Sequence, residues 1–164
     1  MNFPATTVQT RYDSPLGSII LAASEMQLMG IWFVGQRHQP DASHWARDDQ
    51  HPLLRRVKTE LDEYFAGRRR SFDLPLDMAG ATAFQQTVWR ALLTIPYGGS
   101  ASYGALSSAI GKPSAARAVG AAVGRNPFSI VVPCHRVIGS NGALTGYAGG
   151  LERKAALLKT EGVL

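Results

Sequence analysis

The chain has 164 residues, 45% of them hydrophobic and 18% charged, with one cysteine and a formal net charge of +5. This length supports one domain or two small ones around a real core, and no apolar run approaches the roughly 18 residues that a membrane-spanning helix needs. A single cysteine excludes an internal disulfide and a cysteine-rich zinc site, and residues 1–15 show no secretory pattern, so we expect an intracellular, cytoplasmic protein (nuclear in a eukaryote).

The positive charge is confined to one half of the sequence. Residues 1–81 carry nine Lys/Arg against ten Asp/Glu, a net of −1, whereas residues 82–164 carry eight against two, a net of +6. A basic half of this kind commonly meets a polyanion, but a solvated basic surface without a partner explains the charge equally well.

The first third of the chain predicts strands. Short apolar runs separated by turn residues are typical of an antiparallel meander, with strands over 7–12, 18–23 and 28–34 and a turn at 14–17. Residues 35–50 are polar and irregular. Apolar residues at helical spacing from Leu54 to Phe65 predict a helix that Gly67 ends, and the arginines at 68–70 are interpreted as a solvated loop.

Turn residues over 73–80 predict a boundary between two domains, 1–78 and 79–164. Thr82 and Gln85 have the spacing of a capping box, which predicts a helix that begins there and that Pro96 ends. The expected buried face of this helix consists of Phe84, Val88 and Leu92.

Two short helices follow, over 102–110 and 114–123, joined by a turn that contains Gly111 and Pro113. This outline is typical of a helix-turn-helix. The second helix combines one long side chain, Arg117, with small residues that include Ala115, Ala116, Ala118 and Ala121. Such a helix packs tightly on a neighbour or, if it meets DNA, fits the narrow minor groove better than the major groove.

Cys134 and His135 lie between two apolar runs of strand character, 130–132 and 137–138. A lone buried cysteine is often only a small hydrophobe, but an adjacent histidine suggests a nucleophile and its base. Consecutive side chains on a strand point to opposite faces, so contact between the two needs an irregular backbone or a bridging water. Two acids of this half, Glu152 and Glu161, are candidates to orient the histidine.

The last predicted helix has an expected inner face of Leu151, Ala155 and Leu158. Before it, Asn141-Gly142 predicts a hairpin turn, and residues 145–150 form a glycine-rich loop in which Tyr147 offers a stacking face. Phosphate binding by this loop is the weaker interpretation, because the lysine of a P-loop is absent.

These residues together resemble the O6-alkylguanine-DNA alkyltransferases, or methylated-DNA–protein-cysteine methyltransferases. The resemblance is dense over 82–162 and looser before it. It rests on Phe84-Gln85, Ile95-Pro96-Tyr97-Gly98, Tyr103-Gly104, 115–120, Asn126-Pro127, Pro133-Cys134-His135-Arg136-Val137, 146–150, Lys154, Leu157-Leu158 and Glu161-Gly162, with 14–17 and 63–67 in the N-terminal half.

The resemblance implies an α/β (α+β) protein with an N-terminal strand meander and helix and a C-terminal winged-helix-like domain. It implies irreversible transfer of an alkyl group from O6-alkylguanine in duplex DNA to Cys134, after base flipping from the minor groove. His135 would accept the thiol proton through a water, Glu161 would orient His135, and Asn126 would be the hinge before the active-site segment.

The resemblance also implies where DNA and substrate bind. Tyr103, Tyr147, Ala148 and the backbone around Val137 would line the pocket, Arg117 would fill the gap left by the flipped nucleotide, and Tyr103 would press on the flanking phosphate. Further DNA contacts would come from Ala115, Ala116, Ala118, Ala121 and Arg125.

No metal or organic cofactor is implied, and the protein is expected to act as a monomer. Some relatives hold zinc through N-terminal cysteines and histidines, but here a second cysteine is missing, and His38, His44 and His51 are expected at the surface. Relatives with a regulatory N-terminal cysteine domain are excluded, and Ala148 stands where some relatives have serine. The alternatives are a lesion sensor without chemistry, whose relatives lack the cysteine, and a helix-turn-helix regulator with a structural cysteine.

Overall fold

The computed structural model describes residues 1–164, and its N-terminal half contains the predicted meander. Strands β1 (Val8–Ser14), β2 (Gly17–Ala23) and β3 (Leu28–Phe33) pair in antiparallel fashion. The turn between the first two strands is tight: Ser14 pairs directly with Gly17, whose φ of 115° is open to glycine. The meander prediction is therefore confirmed.

A fourth strand, β4 (Ala46–Arg47), pairs in parallel with β1 and completes a sheet of order β3-β2-β1-β4. It lies in the region predicted to be irregular. Two exposed residues carry no periodicity, so the sequence offers no signal for a strand of this length.

Helix α1 (Pro52–Phe65) covers one face of this sheet. Proline suits the first helical turn because its missing N–H would have no intrahelical partner there. The buried side chains Leu54, Val57, Leu61 and Tyr64 recur at helical spacing, and each large apolar side chain buried in this way contributes about 1.5–3 kcal/mol. The helix ends before Gly67, whose φ is 75°.

The C-terminal half contains four helices: α2 (Ala83–Leu92), α3 (Tyr103–Ala109), α4 (Ala116–Gly124) and α5 (Leu151–Thr160). Two short strands, β5 (Ala101–Ser102) and β6 (Val137–Ile138), pair in parallel beside them. The capping box of Thr82 and Gln85 is formed as predicted. Helices α3 and α4 form the predicted helix-turn-helix. With a sheet in the N-terminal half and helices in the C-terminal half, the predicted α+β architecture is confirmed.

Helix boundaries in this half differ from the predictions by more than one residue at two places. Helix α4 begins at Ala116 rather than at Ser114, because the N–H of Ala115 closes a turn onto the carbonyl of Lys112. Helix α2 ends at Leu92, four residues before Pro96. Its buried residues are Val88, Trp89 and Leu92, while Phe84 is only half-buried.

Two further predictions about this half were wrong. The run 130–132 is a turn, since Ile130 has a φ of 73° and the N–H of Val132 bonds the carbonyl of Phe128. The predicted inner face of α5 is correct only for Leu158, because Ala155 is half-buried and Leu151 is exposed, and the other buried residues of the helix are Lys154 and Leu157. The prediction counted only apolar residues as buried, so it missed a lysine that buries its aliphatic stem while its ammonium group donates hydrogen bonds.

The two halves are joined through the edge of β3. The N–H of Ile31 donates to the carbonyl of Pro127 at 2.7 Å, and the N–H of Ser129 donates to the carbonyl of Ile31 at 3.1 Å. One hydrophobic cluster continues across the junction and includes Phe33, Tyr64, Phe128 and Leu157. The segment that precedes Cys134 is thus fixed to the N-terminal sheet.

None of the helices is both long and apolar enough to cross a bilayer.

Candidate active site

Cys134 lies at the floor of a cavity of about 310 Å³ and is only 6% exposed. Residues from both halves line this cavity: Arg37, His38, Tyr103, Gly120, Ala121, Val123, Gly124, Arg125, Cys134, Gly146, Tyr147 and Ala148. The structure therefore brings together the predicted pocket residues Tyr103, Tyr147 and Ala148 with the thiol. Val137 is buried in β6 and does not line the cavity.

The backbone at Cys134 is a 3₁₀ turn that extends to Arg136. The strand character of the flanking runs does not continue through Cys134 and His135. The backbone there is irregular, as contact between two consecutive side chains requires. Burial raises the pKa of the Cys134 thiol, while the Asn126 amide and the Lys154 ammonium group oppose that rise. The resting thiol is therefore protonated and needs a base.

His135 is fully buried, and its Nε2 lies 2.7 Å from Oε1 of Glu161. Burial lowers the pKa of His135 below its usual 6.5, although Glu161 opposes this shift. A neutral imidazole beside an ionised carboxylate carries its proton on the nitrogen that faces the carboxylate. Nδ1, which has no protein hydrogen-bond partner, is then the free acceptor.

Glu161 caps the C-terminus of α5 and accepts hydrogen bonds from three side chains. Besides His135, its donors are the Tyr64 hydroxyl at 2.8 Å and the Arg136 guanidinium, through Nε at 2.8 Å and Nη2 at 2.9 Å. Burial alone would raise the pKa of Glu161, but the bonds from His135 and Arg136 lower it to about 2. The carboxylate is ionised at neutral pH, and Glu152, the other candidate, is exposed at the start of α5.

Asn126 is buried between α4 and the turn that leads to Cys134. Its Nδ2 donates to the carbonyl of Val132 at 2.8 Å, and its Oδ1 accepts from the N–H of Phe128 at 2.9 Å. The side chain thus fixes the end of the helix to the active-site segment, which is the place expected of a hinge.

Helix α4 presents a smooth surface beside the cavity. Its exposed residues include Ala116, Arg117, Ala118 and Ala121, while Ala115 is half-buried and Arg125 is exposed just after the helix. The opposite face, Val119, Ala122 and Val123, packs inward, and the indole of Trp89 donates to the carbonyl of Ala122. Packing therefore explains only one face, and the small residues around Arg117 remain free to approach another surface.

The chain contains no cluster of three or more His, Cys, Asp or Glu side chains that could hold a metal ion. His38 and His44 are exposed and His51 is half-buried, at separate places in the N-terminal half.

Comparison with known proteins adds an independent observation. Models described as the ribonuclease-like domain and the DNA binding domain of 6-O-methylguanine DNA methyltransferase match residues 7–78 and 83–163. A methylated-DNA–protein-cysteine methyltransferase of Mycobacterium tuberculosis is 50% identical over 149 residues, which cover 91% of this chain and 88% of the relative. The chain belongs to the 6-O-methylguanine DNA methyltransferase family.

Further relatives and solved structures support membership of this methyltransferase family. The constitutive methylated-DNA–protein-cysteine methyltransferase of Bacillus subtilis is 48% identical over 93% of both chains. A crystal structure of the M. tuberculosis O6-methylguanine methyltransferase superposes with a TM-score of 0.87 at 47% identity, over 94% of this chain and 92% of that chain. A structure of the M. tuberculosis protein in complex with DNA superposes with a TM-score of 0.85 at 46% identity, over 94% and 91% of the two chains. The chain is thus a methyltransferase with a DNA-binding domain.

Three side chains of this methyltransferase support the site from outside the cavity, although the sequence analysis assigned them no role. Tyr64 and Arg136 bond Glu161, and Arg136 also donates to the carbonyl of Ile95. Lys154 donates to the carbonyls of Thr145 and Gly146, which hold the loop before Tyr147. Arg136 and Lys154 stand inside the motifs that carry the family resemblance, and Tyr64 stands inside the looser 63–67 match, so those motifs were the available signal.

Proposed function

We propose that the protein repairs DNA by moving an alkyl group from O6 of guanine to the sulfur of Cys134, once per molecule. The observation that carries this proposal is the place of the only thiol: it lies at the floor of a cavity, next to a neutral histidine that an ionised glutamate orients. The proposal agrees with the family to which the chain belongs.

The chemistry is a direct displacement that balances without a further reactant. The thiol proton passes through a water to Nδ1 of His135, and the imidazolium that forms is stabilised by Glu161 at 2.7 Å. The sulfur then bonds to the alkyl carbon as the carbon–O6 bond breaks, and the electron pair of that broken bond stays on guanine. The His135 imidazolium returns the thiol proton, through water, to the guanine, so that both the base and the histidine end neutral. The products are guanine and a thioether at Cys134.

The thioether explains why each molecule would act once. It is chemically stable, and no second nucleophilic thiol exists in the chain to take the alkyl group away. The protein is consumed in proportion to the lesions it repairs.

The depth of Cys134 supports base flipping. A thiol that is 6% exposed at the floor of a cavity cannot reach the edge of a stacked base. Extrusion costs a few kcal/mol, which contacts at the gap and the weakened pairing of the lesion offset. Arg117 would occupy the gap, and the small residues of α4, Ala115, Ala116, Ala118 and Ala121, would let the helix approach the minor groove.

The remaining roles follow from the lining of the cavity. Tyr147 and Ala148 would hold the flipped base, Tyr103 would lie against the flanking phosphate, and Arg125 would contact the DNA backbone at the cavity mouth. The backbone near Val137 would support the pocket from behind, since Val137 itself is buried. Residues 1–78 would support a catalytic domain formed by 79–164, and the protein would act as a monomer.

The deciding experiment is an intact-mass measurement after incubation with a duplex that contains O6-methylguanine. We expect a gain of one CH₂ unit per chain, located on Cys134 by peptide mapping, and no gain for Cys134→Ala or for an undamaged duplex. A lesion sensor would bind the damaged duplex without a mass change, and a sequence-specific regulator would protect a defined site on undamaged DNA. Either result, or a gain that persists in Cys134→Ala, contradicts the proposal.

A further inference from the structure

We infer that Tyr64, in the N-terminal half, is a positioning residue for alkyl transfer, because its hydroxyl holds the Glu161 carboxylate that orients His135. This inference rests on the proposed function. It assigns the N-terminal half a part in the reaction beyond mechanical support.

The hydrogen bond between Tyr64 and Glu161 joins residues that are 97 positions apart in the chain. The hydroxyl donates to Oε1 over 2.8 Å, and Tyr64 is fully buried. Of the three side chains that donate to Glu161, Tyr64 is the one that comes from the N-terminal half. Arg136 and His135 both belong to the active-site turn itself.

The ring of Tyr64 has little freedom to move away from this bond. It packs on Phe65 and Tyr97 in edge-to-face geometry and against Phe72 in a tilted one. Helix α1 supports it from the backbone, and its phenol stays protonated because burial and the nearby carboxylate both raise the pKa of Tyr64. The hydroxyl is therefore a fixed donor throughout the working pH range.

Three donors converge on the same oxygen of Glu161. Tyr64, Nε2 of His135 and Nη2 of Arg136 all bond Oε1, while Nε of Arg136 bonds Oε2. A neutral donor on Oε1 fixes where that oxygen lies and reduces the basicity it offers to His135. Without the hydroxyl, the carboxylate would pull more strongly on the imidazole proton and would be held less firmly.

Two consequences follow for the rate of transfer. The histidine would be aimed less well, so the rate would fall at every pH. The pKa of His135 would also rise, because the charge of Glu161 would be shared with one donor fewer. Since only neutral His135 accepts the thiol proton, the acid limb of the rate profile would move to higher pH.

Other charged and titratable groups near the network are unchanged by the substitution. They are Arg136, Tyr97 and Tyr147 around Glu161 and Tyr64, and Lys154 and Cys134 beside His135. A shift of the acid limb in a Tyr64 variant is therefore assigned to the lost hydroxyl.

The test is the single-turnover rate of methyl transfer from an O6-methylguanine duplex, measured from about pH 5 to pH 9, for Tyr64→Phe. The matched control is Tyr12→Phe, which removes an equivalent hydroxyl that donates to Asp62 at 2.6 Å, outside the Glu161 network. We expect a rate at least about tenfold lower and an acid midpoint at higher pH for Tyr64→Phe, with parental values for Tyr12→Phe.

Three outcomes would overturn the inference or its basis. Parental rate and midpoint in Tyr64→Phe overturn it, and a rate lowered equally at all pH values assigns Tyr64 a merely structural role. Absence of transfer by the parent protein overturns the proposed function instead.

A second measurement does not depend on the variant folding. In the parent protein, the Tyr64 hydroxyl proton and the His135 Nε2 proton both point at Oε1, so their NMR signals should show a mutual nuclear Overhauser effect. If the resolved proton signals show none, the shared acceptor is absent and the inference is wrong.

Discussion

Nε2 of His135 and Oε1 of Glu161 lie 2.7 Å apart, and neither side chain has any surface in contact with solvent. Because Glu161 is ionised, the shared proton belongs to the histidine, and Nδ1 is left as the acceptor. The same carboxylate also neutralises the buried guanidinium of Arg136. One glutamate therefore sets the tautomer of the base and compensates a buried positive charge.

This double role predicts different outcomes for two substitutions. His135→Ala and Glu161→Gln should each slow methyl transfer by about 10²–10⁴-fold, the usual contribution of a positioned base. Glu161→Gln should in addition cost about 3–5 kcal/mol of stability, because Arg136 loses its partner in the interior. Single-turnover rates and urea unfolding measure the two effects.

DNA binding is the control for these variants. Neither residue lies on the exposed face of α4, so the affinity for duplex DNA should remain near that of the parent. If the affinity fell in step with the rate, the two residues would act through DNA binding and not through chemistry.

The pH dependence of stability follows from the same pair. The pKa of His135 is lowered from 6.5 and that of Glu161 is lowered from 4.5 to about 2, so the unfolded chain binds more protons than the folded one in both ranges. The free energy of unfolding should therefore decrease as the pH falls below 6.5, and decrease again between 4.5 and about 2. Urea unfolding across this range checks the prediction.

The His135→Ala variant isolates the first of these decreases. Its stability should depend less on pH below 6.5 than that of the parent. An unchanged slope would mean that another group binds the proton.

Most of the side chains that meet at the site could be predicted from the sequence. Cys134, His135 and Asn126 stand in short local motifs, and the helices around them carry strong signals such as the capping box of Thr82 and Gln85. Glu161 was one of two acids predicted as candidates to orient the histidine, and in the structure it is the one that lies buried beside His135.

What the sequence did not indicate depends on contacts between distant segments. The bond from Tyr64 to Glu161 spans 97 residues, and no periodicity of α1 distinguishes a buried tyrosine with a polar partner from a buried tyrosine without one. The sequence around Ile130 resembles a strand because its apolar residues are all buried, whatever the backbone conformation. The positive φ of Ile130 that makes the turn could not be predicted, since β-branched residues rarely adopt it.

Asn126 offers a test of how the active-site segment is held. Asn126→Ala removes the donor to Val132 and the acceptor of the Phe128 N–H, which leaves buried groups unpaired at about 1–3 kcal/mol each. We expect a lower melting temperature and slower transfer. Thermal unfolding and single-turnover rates check both.

Asn126→Asp separates the contribution of the Nδ2 donor from that of the Oδ1 acceptor. It keeps the acceptor of Phe128 but replaces the donor by a negative charge near Cys134, which should raise the pKa of the thiol further. Its transfer should therefore be slower than its loss of stability alone accounts for. Equal transfer by Asn126→Asp and the parent would show that the Nδ2 donor is dispensable.

Lys154 should support both the pocket loop and the thiolate. Its ammonium group bonds the carbonyls of Thr145 and Gly146, and burial lowers the pKa of Lys154 to about 8. Lys154→Met keeps most of the volume but removes both bonds and the positive charge that favours ionised Cys134. We expect slower transfer and a higher pKa of Cys134, measured by alkylation with a small thiol reagent across pH.

The exposed Lys159 on the same helix is the matched control. Lys159→Met removes the same charge without touching the loop, so its rate and thiol pKa should equal those of the parent. Equal effects of both variants would point to net charge and not to the site.

Arg117 provides the sharpest test of base flipping. It is exposed on the first turn of α4, and its proposed role exists only while the target base leaves a gap in a duplex. Arg117→Ala should therefore slow transfer from O6-methylguanine in duplex DNA by at least about tenfold, while transfer from a free alkylguanine analogue stays near the parental rate. Arg90→Ala, which removes an exposed arginine of α2, should change neither reaction. If Arg117→Ala slowed both reactions equally, Arg117 would act on the pocket itself and its assignment to the gap would be wrong.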